Sequence, residues 1–327
     1  MLEPGDRVGD YVVEREIGAG SLGHVYRVRH LARGTVHAFK FLAASGERAR
    51  ARLAREAAVL QRLSHANVVT LTEVLEVNGE PGLVLEYVDG PTLAAWSADH
   101  AHDLVEIETI FRGIVAGVSH LHRRGLVHRD LRPQNILLAR TGDGLVPKVA
   151  DLGIAKVLDA AMTLQGGTQT AMNMGAPGYS APEQLRDPRS VDAGADLFSL
   201  GCILYELVCR RPAFMGSDLL TMMNATARGR YKDPSAVRQD LPERFAIAIR
   251  ACLEPDRDRR IASCDELLRV LGDGLPPVRR ELTPARRTAT ESLAVPEAVA
   301  PPLWMLVVAA IAALAVTLAL GGWWLWG

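Results

Sequence analysis

The sequence predicts an α+β chain in which short strands come first, helices follow, and a separate apolar segment ends it. Three observations lead there. Residues 11–42 hold three β-branched, alternating runs punctuated by glycine. Beyond them, apolar residues recur at helical spacing. After Glu297 no charged residue occurs. The 327 residues are 48% apolar and 23% charged, which is globular composition and enough for about two domains. With 37 Lys+Arg against 38 Asp+Glu, no excess of cations exists to neutralise phosphodiesters, so nucleic-acid binding is excluded as the main activity. The four cysteines show no CxxC spacing, which argues against structural zinc or a disulfide scaffold and for a reducing compartment.

The acidic start Met1-Leu2-Glu3 has no apolar run and does not read as a signal peptide. Tyr11–Ile17 and His24–Arg29 read as strands flanking Gly18-Ala19-Gly20-Ser21-Leu22-Gly23. A dinucleotide-binding turn of this spelling leads into a helix. Here Val25-Tyr26-Arg27-Val28 follows instead, so the residues fit a hairpin that closes over phosphates or an ordinary glycine hairpin. Val36–Leu42 is a third strand, with Ala38 and Lys40 on one face. Lys40 is one of only four lysines beside 33 arginines. A helix is expected from about Glu47 to Leu63, with Leu53, Ala57, Leu60 and Leu63 on its apolar stripe and Glu56 among them. An inward carboxylate needs a partner; Lys40 is one candidate, and an i,i−4 pair with Arg52 is the other.

A helical run ends at His120-Leu121-His122, and His128-Arg129-Asp130-Leu131-Arg132-Pro133-Gln134-Asn135 follows it. Asp151-Leu152-Gly153 closes the apolar strand Val146–Ala150. Further on stand Ala181-Pro182-Glu183 and Asp196-Leu197-Phe198-Ser199-Leu200-Gly201, the latter within an apolar helix whose Cys202 and Cys209 read as core. Taken in this order, after the glycine loop and Lys40, these motifs resemble the protein-kinase signature set, most closely that of bacterial, eukaryotic-like (Hanks-type) Ser/Thr kinases. The resemblance covers residues 11–272, about four-fifths of the chain. It implies the two-lobed kinase fold: a small antiparallel β lobe with one helix over residues 11–86, and a larger, mainly α lobe over 91–272.

The resemblance also implies the chemistry, an ATP-dependent transfer of the γ-phosphate to Ser/Thr hydroxyls of proteins. Phosphoryl transfer is mostly positioning and charge neutralisation. Asn135 and Asp151 would supply hard oxygens to Mg²⁺, or to Mn²⁺ in its place. Asp130 would accept the proton of the attacking hydroxyl. Lys40, held by Glu56, would meet the α- and β-phosphates as a compact point charge. Ile17, Gly18, Ala19, Gly20, Ser21 and Gly23 would cover the nucleotide, Val25, Ala38 and Leu137 would sandwich adenine, and the backbone of Glu86 and Val88 would hydrogen-bond it. Glu183 would pair with a later arginine, with Arg260 expected. Asp196 is either a helix cap or a brace for the catalytic-loop backbone, and His128 is expected to pack within that loop rather than act as a base.

Three positions depart from the family pattern. Leu152 stands where Phe is usual, Arg132 where lysine is, and Ala176 where threonine is. The last two are expected to compensate, the longer guanidinium using the space that alanine leaves to reach the γ-phosphate. They also keep open an alternative, a catalytically weak pseudokinase serving as an ATP-binding scaffold. Thr168 and Thr170 match the spacing of activation-loop phosphothreonines, with Arg129 as the receiving cation; a plain polar loop is the other reading.

Residues 273–302, rich in Pro, Arg, Thr and Glu, read as a juxtamembrane linker. Residues 303–326 are long enough to span a hydrocarbon core, and Trp304 and Trp323 stand roughly 28 Å apart along a helix. A buried C-terminal helix is the competing reading. Arg279, Arg280, Arg286 and Arg287 all precede the span, so the expectation is a single-pass protein of the cell (inner or plasma) membrane with its kinase domain cytoplasmic. Expected partners are the lipid bilayer, protein substrates and, through the Ala309-x-x-x-Ala313 and Ala315-x-x-x-Ala319 spacings, a second copy in a homodimer. Nucleic acid is not expected.

Overall fold

The computed structural model describes residues 1–20, 23–41, 57–77, 79–152, 178–187 and 191–273. The chain divides into two units, Met1–Arg280 and Glu281–Gly327, and every described residue belongs to the first. Expectations for Ser21, the helix start with Glu56, Thr168, Thr170, Ala176, residues 274–302 of the linker and the span 303–326 therefore lie outside the described residues. Among the described residues no helix is long and apolar enough to cross a membrane.

The first part is one antiparallel sheet of β1 (Arg7–Val8), β2 (Tyr11–Gly20), β3 (Gly23–His30), β4 (Val36–Phe41), β5 (Leu71–Val77) and β6 (Glu80–Glu86), in the order β1-β2-β3-β4-β6-β5. Period-two alternation gives it two faces. Tyr26, Phe39 and Val84 are register partners on one face, and with Val8, Tyr11, Val13 and Val28 they form a closed apolar cluster. The other face carries Val25, Lys40 and Leu83 in one row and Arg27, Ala38 and Leu85 in the next. The sheet curls enough for the Tyr11 hydroxyl on β2 to donate to Glu73 on β5 at 3.1 Å.

Two expectations about this part of the chain change. The strands flanking the glycines do not stop at Ile17 and start at His24; they continue to the Gly20–Gly23 pair. Backbone pairing carries them, because glycine's missing side chain weakens a strand without removing its N–H and C=O. Bulges around Glu14 and Ile17 absorb the mismatch. The helix expected to reach Leu63 ends at residue 60, where tighter turns take over, yet Ala57, Leu60 and Leu63 are all buried as the apolar stripe required.

The second part is helical around α4 (Ala193–Cys209), a helix with 13 of its 17 residues buried, so apolar residues surround it on all sides. It packs on α2 (Leu104–His122) and α7 (Glu243–Cys252), and α8 (Cys264–Asp273) packs on both of these. Among the described residues the remaining helices are α1 (Leu93–Asp99), α3 (Pro182–Arg186), α5 (Leu219–Ala227) and α6 (Pro234–Val237). Side-chain caps start several of them: Thr92 accepts from Ala95 N, Asp103 from Glu106 N, and Asp218 from Thr221 N. A two-stranded hairpin, β7 (Ile136–Thr141) with β8 (Gly144–Val149), lies between the sheet and the helices. Val69 N donates to Val149 O and Val149 N to Asn67 O, which ties the hairpin to the segment entering β5. α2 presses on that junction at Gly117, where a Cβ would stand 2.4 Å from Asn67 O.

Candidate active site

The sheet, the β7–β8 hairpin and the loop between α2 and β7 converge on one cleft. On the cleft face of β4, Lys40 sits beside Val25 and Leu83, with Ala38 and Leu85 in the neighbouring row. Its ammonium reaches Asp151, just beyond β8, at 2.5 Å across 111 residues of chain. Asp151 holds a left-handed backbone, φ 53°, which turns its half-exposed carboxylate back toward the sheet. For Glu56 the sequence left two partners open, Lys40 and Arg52; Glu56 and Arg52 lie outside the described residues, and among the described residues Lys40 pairs with Asp151.

The loop before β7 is held from beneath. Asp196 is fully buried in the first turn of α4, and its carboxylate accepts from His128 N (2.8 Å), Arg129 N (2.9 Å) and His122 Nε2 (2.8 Å). Of the two roles read for it, brace and cap, the geometry gives the brace; the cap of α4 is Asp192, which accepts from Gly194 N. Arg129 takes a left-handed φ of 65°, and its carbonyl accepts from Gln184 on α3 at 2.6 Å. His128 is used up structurally. Nδ1 accepts from Asp130 N at 3.2 Å, so the neutral ring carries its proton on Nε2, which donates to Ala150 O at 2.8 Å. No ring nitrogen remains to serve as a base.

Asn135 lies in a short 3₁₀ turn (Pro133–Asn135), and its amide nitrogen donates twice to Asp130, to the carbonyl at 2.8 Å and to Oδ2 at 2.9 Å. Both amide donors point at Asp130, which leaves the Asn135 oxygen as an acceptor. That oxygen and the Asp151 carboxylate are the hard donors a Mg²⁺ ion takes, and the residues fit the metal. The Arg132 Nε donates to Gln134 Oε1 at 2.9 Å.

The nucleotide-side residues fall into place around this. Ile17 (37% exposed), Gly18, Ala19 and Gly20 end β2, and Gly23 and Val25 begin β3. Glu86 ends β6, Val88 follows it, and Leu137 stands on β7 opposite Lys148. Glu183 and Arg260 form the expected pair, with Nη1 2.6 Å from Oε1 and Nη2 3.0 Å from Oε2.

Four contacts were not foreseen: His122–Asp196, Gln184–Arg129, Lys148–Glu86 at 2.8 Å, and a short hydrogen bond from the Tyr179 hydroxyl to Glu206. A buried carboxylate demands partners, but sequence spacing does not say which. Burial pushes the Glu206 carboxyl above its ordinary value, with the Tyr179 hydrogen bond opposing. Burial and Glu206 together push the Tyr179 phenol up.

Comparison with known proteins gives consistent matches. The protein kinase domain family model matches residues 11–270. A probable serine/threonine-protein kinase of Streptomyces coelicolor is 35% identical over 278 residues, which is 82% of this chain and 40% of that protein. Among solved structures, the PknI kinase domain of Mycobacterium tuberculosis superposes with a TM-score of 0.65 at 26% identity, covering 84% of this chain and 100% of that one. Rad53 in complex with AMP-PNP gives a TM-score of 0.67 at 25% identity, covering 80% of this chain and 65% of that one. The chain spans about half or less of the length of the curated relatives it matches.

Proposed function

The chain belongs to the protein kinase family, with bacterial Ser/Thr kinases among its homologues, and we propose that it is an ATP-dependent Ser/Thr protein kinase tethered to a membrane. The observation that carries the catalytic part is the Lys40–Asp151 contact, which joins the sheet to the strand end beside Asp130 and Asn135. Lys40 binds the α- and β-phosphates with a charge too compact for a guanidinium to imitate. The backbone of Glu86 and Val88 receives adenine between Val25, Ala38 and Leu137. Asp130 accepts the hydroxyl proton while Asn135 keeps its carboxylate oriented. Asn135 Oδ1 and Asp151 would hold Mg²⁺, which neutralises charge on the phosphates when bound. Asp196 and His128 keep the loop fixed, so little reorganisation is left for the moment of transfer.

Regulation and location belong to the same reading. Thr168 and Thr170 are its autophosphorylation sites, with Arg129 as the receiving cation. Residues 303–326 anchor the chain in the cell membrane, with the kinase domain cytoplasmic and alanine-lined helix pairing as the route to a dimer. Alkaline carbonate extraction tests the anchor: the full chain stays with the membranes, and a chain ending at residue 302 is released. The second reading, an ATP-binding scaffold, is favoured by one observation, that Arg132 is engaged by Gln134. Mg·ATP phosphotransfer by the full chain in detergent, beside Asp130→Asn and with sites mapped by mass spectrometry, separates the two. Phosphate on Thr168 or Thr170 that vanishes in the variant supports the kinase. Nucleotide binding without transfer sinks it in favour of the scaffold.

A further inference from the structure

Of the four lysines in this arginine-rich chain, Lys148 has no part in the chemistry above, although it stands only three residues before Asp151. It projects from β8, and its ammonium lies 2.8 Å from Glu86 Oε1 and 3.1 Å from Oε2, with the two side chains 14% and 32% exposed. Glu86 is anchored in turn: its N–H donates to Thr70 O at 2.8 Å, and its Oε2 accepts from Thr70 N at 3.3 Å. Beyond Glu86 the chain is tied to the same hairpin a second time. Arg140 N donates to Asp89 O at 3.0 Å and Leu138 N to Pro91 O at 2.9 Å. At Gly90 the approach is so close that a Cβ would lie 1.7 Å from Leu138 O. Tyr87 and Val88 are therefore suspended between two attachments to one hairpin, the Lys148 ion pair before them and the β7 backbone after them. Leu137, the register partner of Lys148, sits between those attachments.

We propose that Lys148 is a positioning residue for the nucleotide: by gripping Glu86 it sets the backbone of residues 86–88 at a fixed distance from Leu137, and so decides how well adenine fits. The proposal rests on the reading of 86–88 as the adenine-binding backbone. The energetics are favourable for such a strut. The pair borders an open groove of about 520 Å³, lined also by His37, Thr72 and Tyr87, so its charges keep part of their hydration while the stem of Lys148 stays packed. A lysine also suits the task, since one compact ammonium bridges both carboxylate oxygens without the planar approach a guanidinium needs.

Two variants of the full chain test this. Lys148→Met keeps the stem and removes the charge; Glu86→Gln removes the partner's charge and leaves the backbone in place. Without nucleotide, amide exchange at residues 86–88 should accelerate about tenfold in either variant and no further in the double variant. In kinetics, KM for Mg·ATP should rise about five- to tenfold with kcat within about twofold, while KM for Mg·GTP, whose base presents a different edge, moves less than about twofold. A lysine that merely held the fold together would weaken both nucleotides alike. Unchanged exchange at 86–88 in Lys148→Met, additive exchange in the double variant, or equal losses for ATP and GTP each overturn the proposal. A parent protein that binds neither nucleotide while its variants still exchange faster overturns the adenine reading instead, and the positioning role with it.

Discussion

Replacing Arg260 by lysine keeps the charge and should still cost the protein a large part of its stability. Arginine has five N–H donors, and at Arg260 every one has an acceptor. Nε gives to Glu254 O (3.0 Å), Nη1 to Glu183 Oε1 (2.6 Å) and Gly194 O (2.8 Å), and Nη2 to Glu183 Oε2 (3.0 Å) and Pro255 O (3.4 Å). The guanidinium also lies 5.1 Å from the centroid of the Phe198 ring, and the residue is 4% exposed. Lysine brings three donors on a single atom, so at least two acceptors lose their partner in a region water hardly reaches. At about 1–3 kcal/mol for each buried group left unmet, two such groups put the cost of Arg260→Lys at roughly 2–6 kcal/mol. Arg260→Met, which strands the Glu183 carboxylate, should destabilise by about 3–5 kcal/mol. Urea unfolding followed by circular dichroism reads both, with the m-value expected to hold. An Arg260→Lys protein within about 1 kcal/mol of the parent would show that the fork geometry is not what holds α3 to α4, and the reasoning would fail.

Other changes follow from the same geometry. Asp196→Asn places an amide NH₂ where a carboxylate oxygen now accepts, so a donor meets a donor beneath the catalytic loop; kcat should fall roughly 10²-fold with KM for ATP changed less than about threefold in steady-state assays. Gly117→Ala sets a methyl 2.4 Å from a backbone oxygen that cannot yield, at about 1–3 kcal/mol, whereas Gly142→Ala meets nothing within 4 Å and should be near neutral. The Glu206 carboxyl is raised by burial, so its contribution to stability is full below the unfolded-state value and is lost as pH rises through the folded one. Glu206→Gln should therefore gain on the parent as pH climbs from about 4 to 7, and melting temperatures that run parallel over that range would refute it.

Local spacing made a good deal of this readable. The alternation Ala38–Lys40 gives the face on which the cleft lies, and the Asp256–Ile261 run contains the arginine that meets Glu183. What stayed hidden is what only the folded chain creates. Lys40 and Asp151 are 111 residues apart, and no periodicity links them. β5 and β6 carry Glu73, Glu76, Pro81 and Gly82, which blur a strand pattern. Yet Gly82 is required, because the Phe39 ring fills the place of its Cβ at 2.1 Å. Strand preference here is a statement about neighbours rather than about the backbone. The His122–Asp196 and Lys148–Glu86 pairs escape for the same reason, each being solved by a partner from a distant element.

Among the described residues, three other than glycine hold left-handed backbones: Arg129, Asp151 and Arg210. Such a conformation costs of order 1–3 kcal/mol when nothing compensates it. Arg210 merely closes α4, and glycine there should make the protein more stable and leave its chemistry untouched. Arg129 and Asp151 flank the reacting centre, and relaxing them by the same substitution would trade function for stability. A selection for thermal resistance alone should therefore accept change at 210 readily, while a selection that also demands activity should hold 129 and 151 as they are. The two outcomes would separate the strain that serves the site from the strain that merely ends a helix.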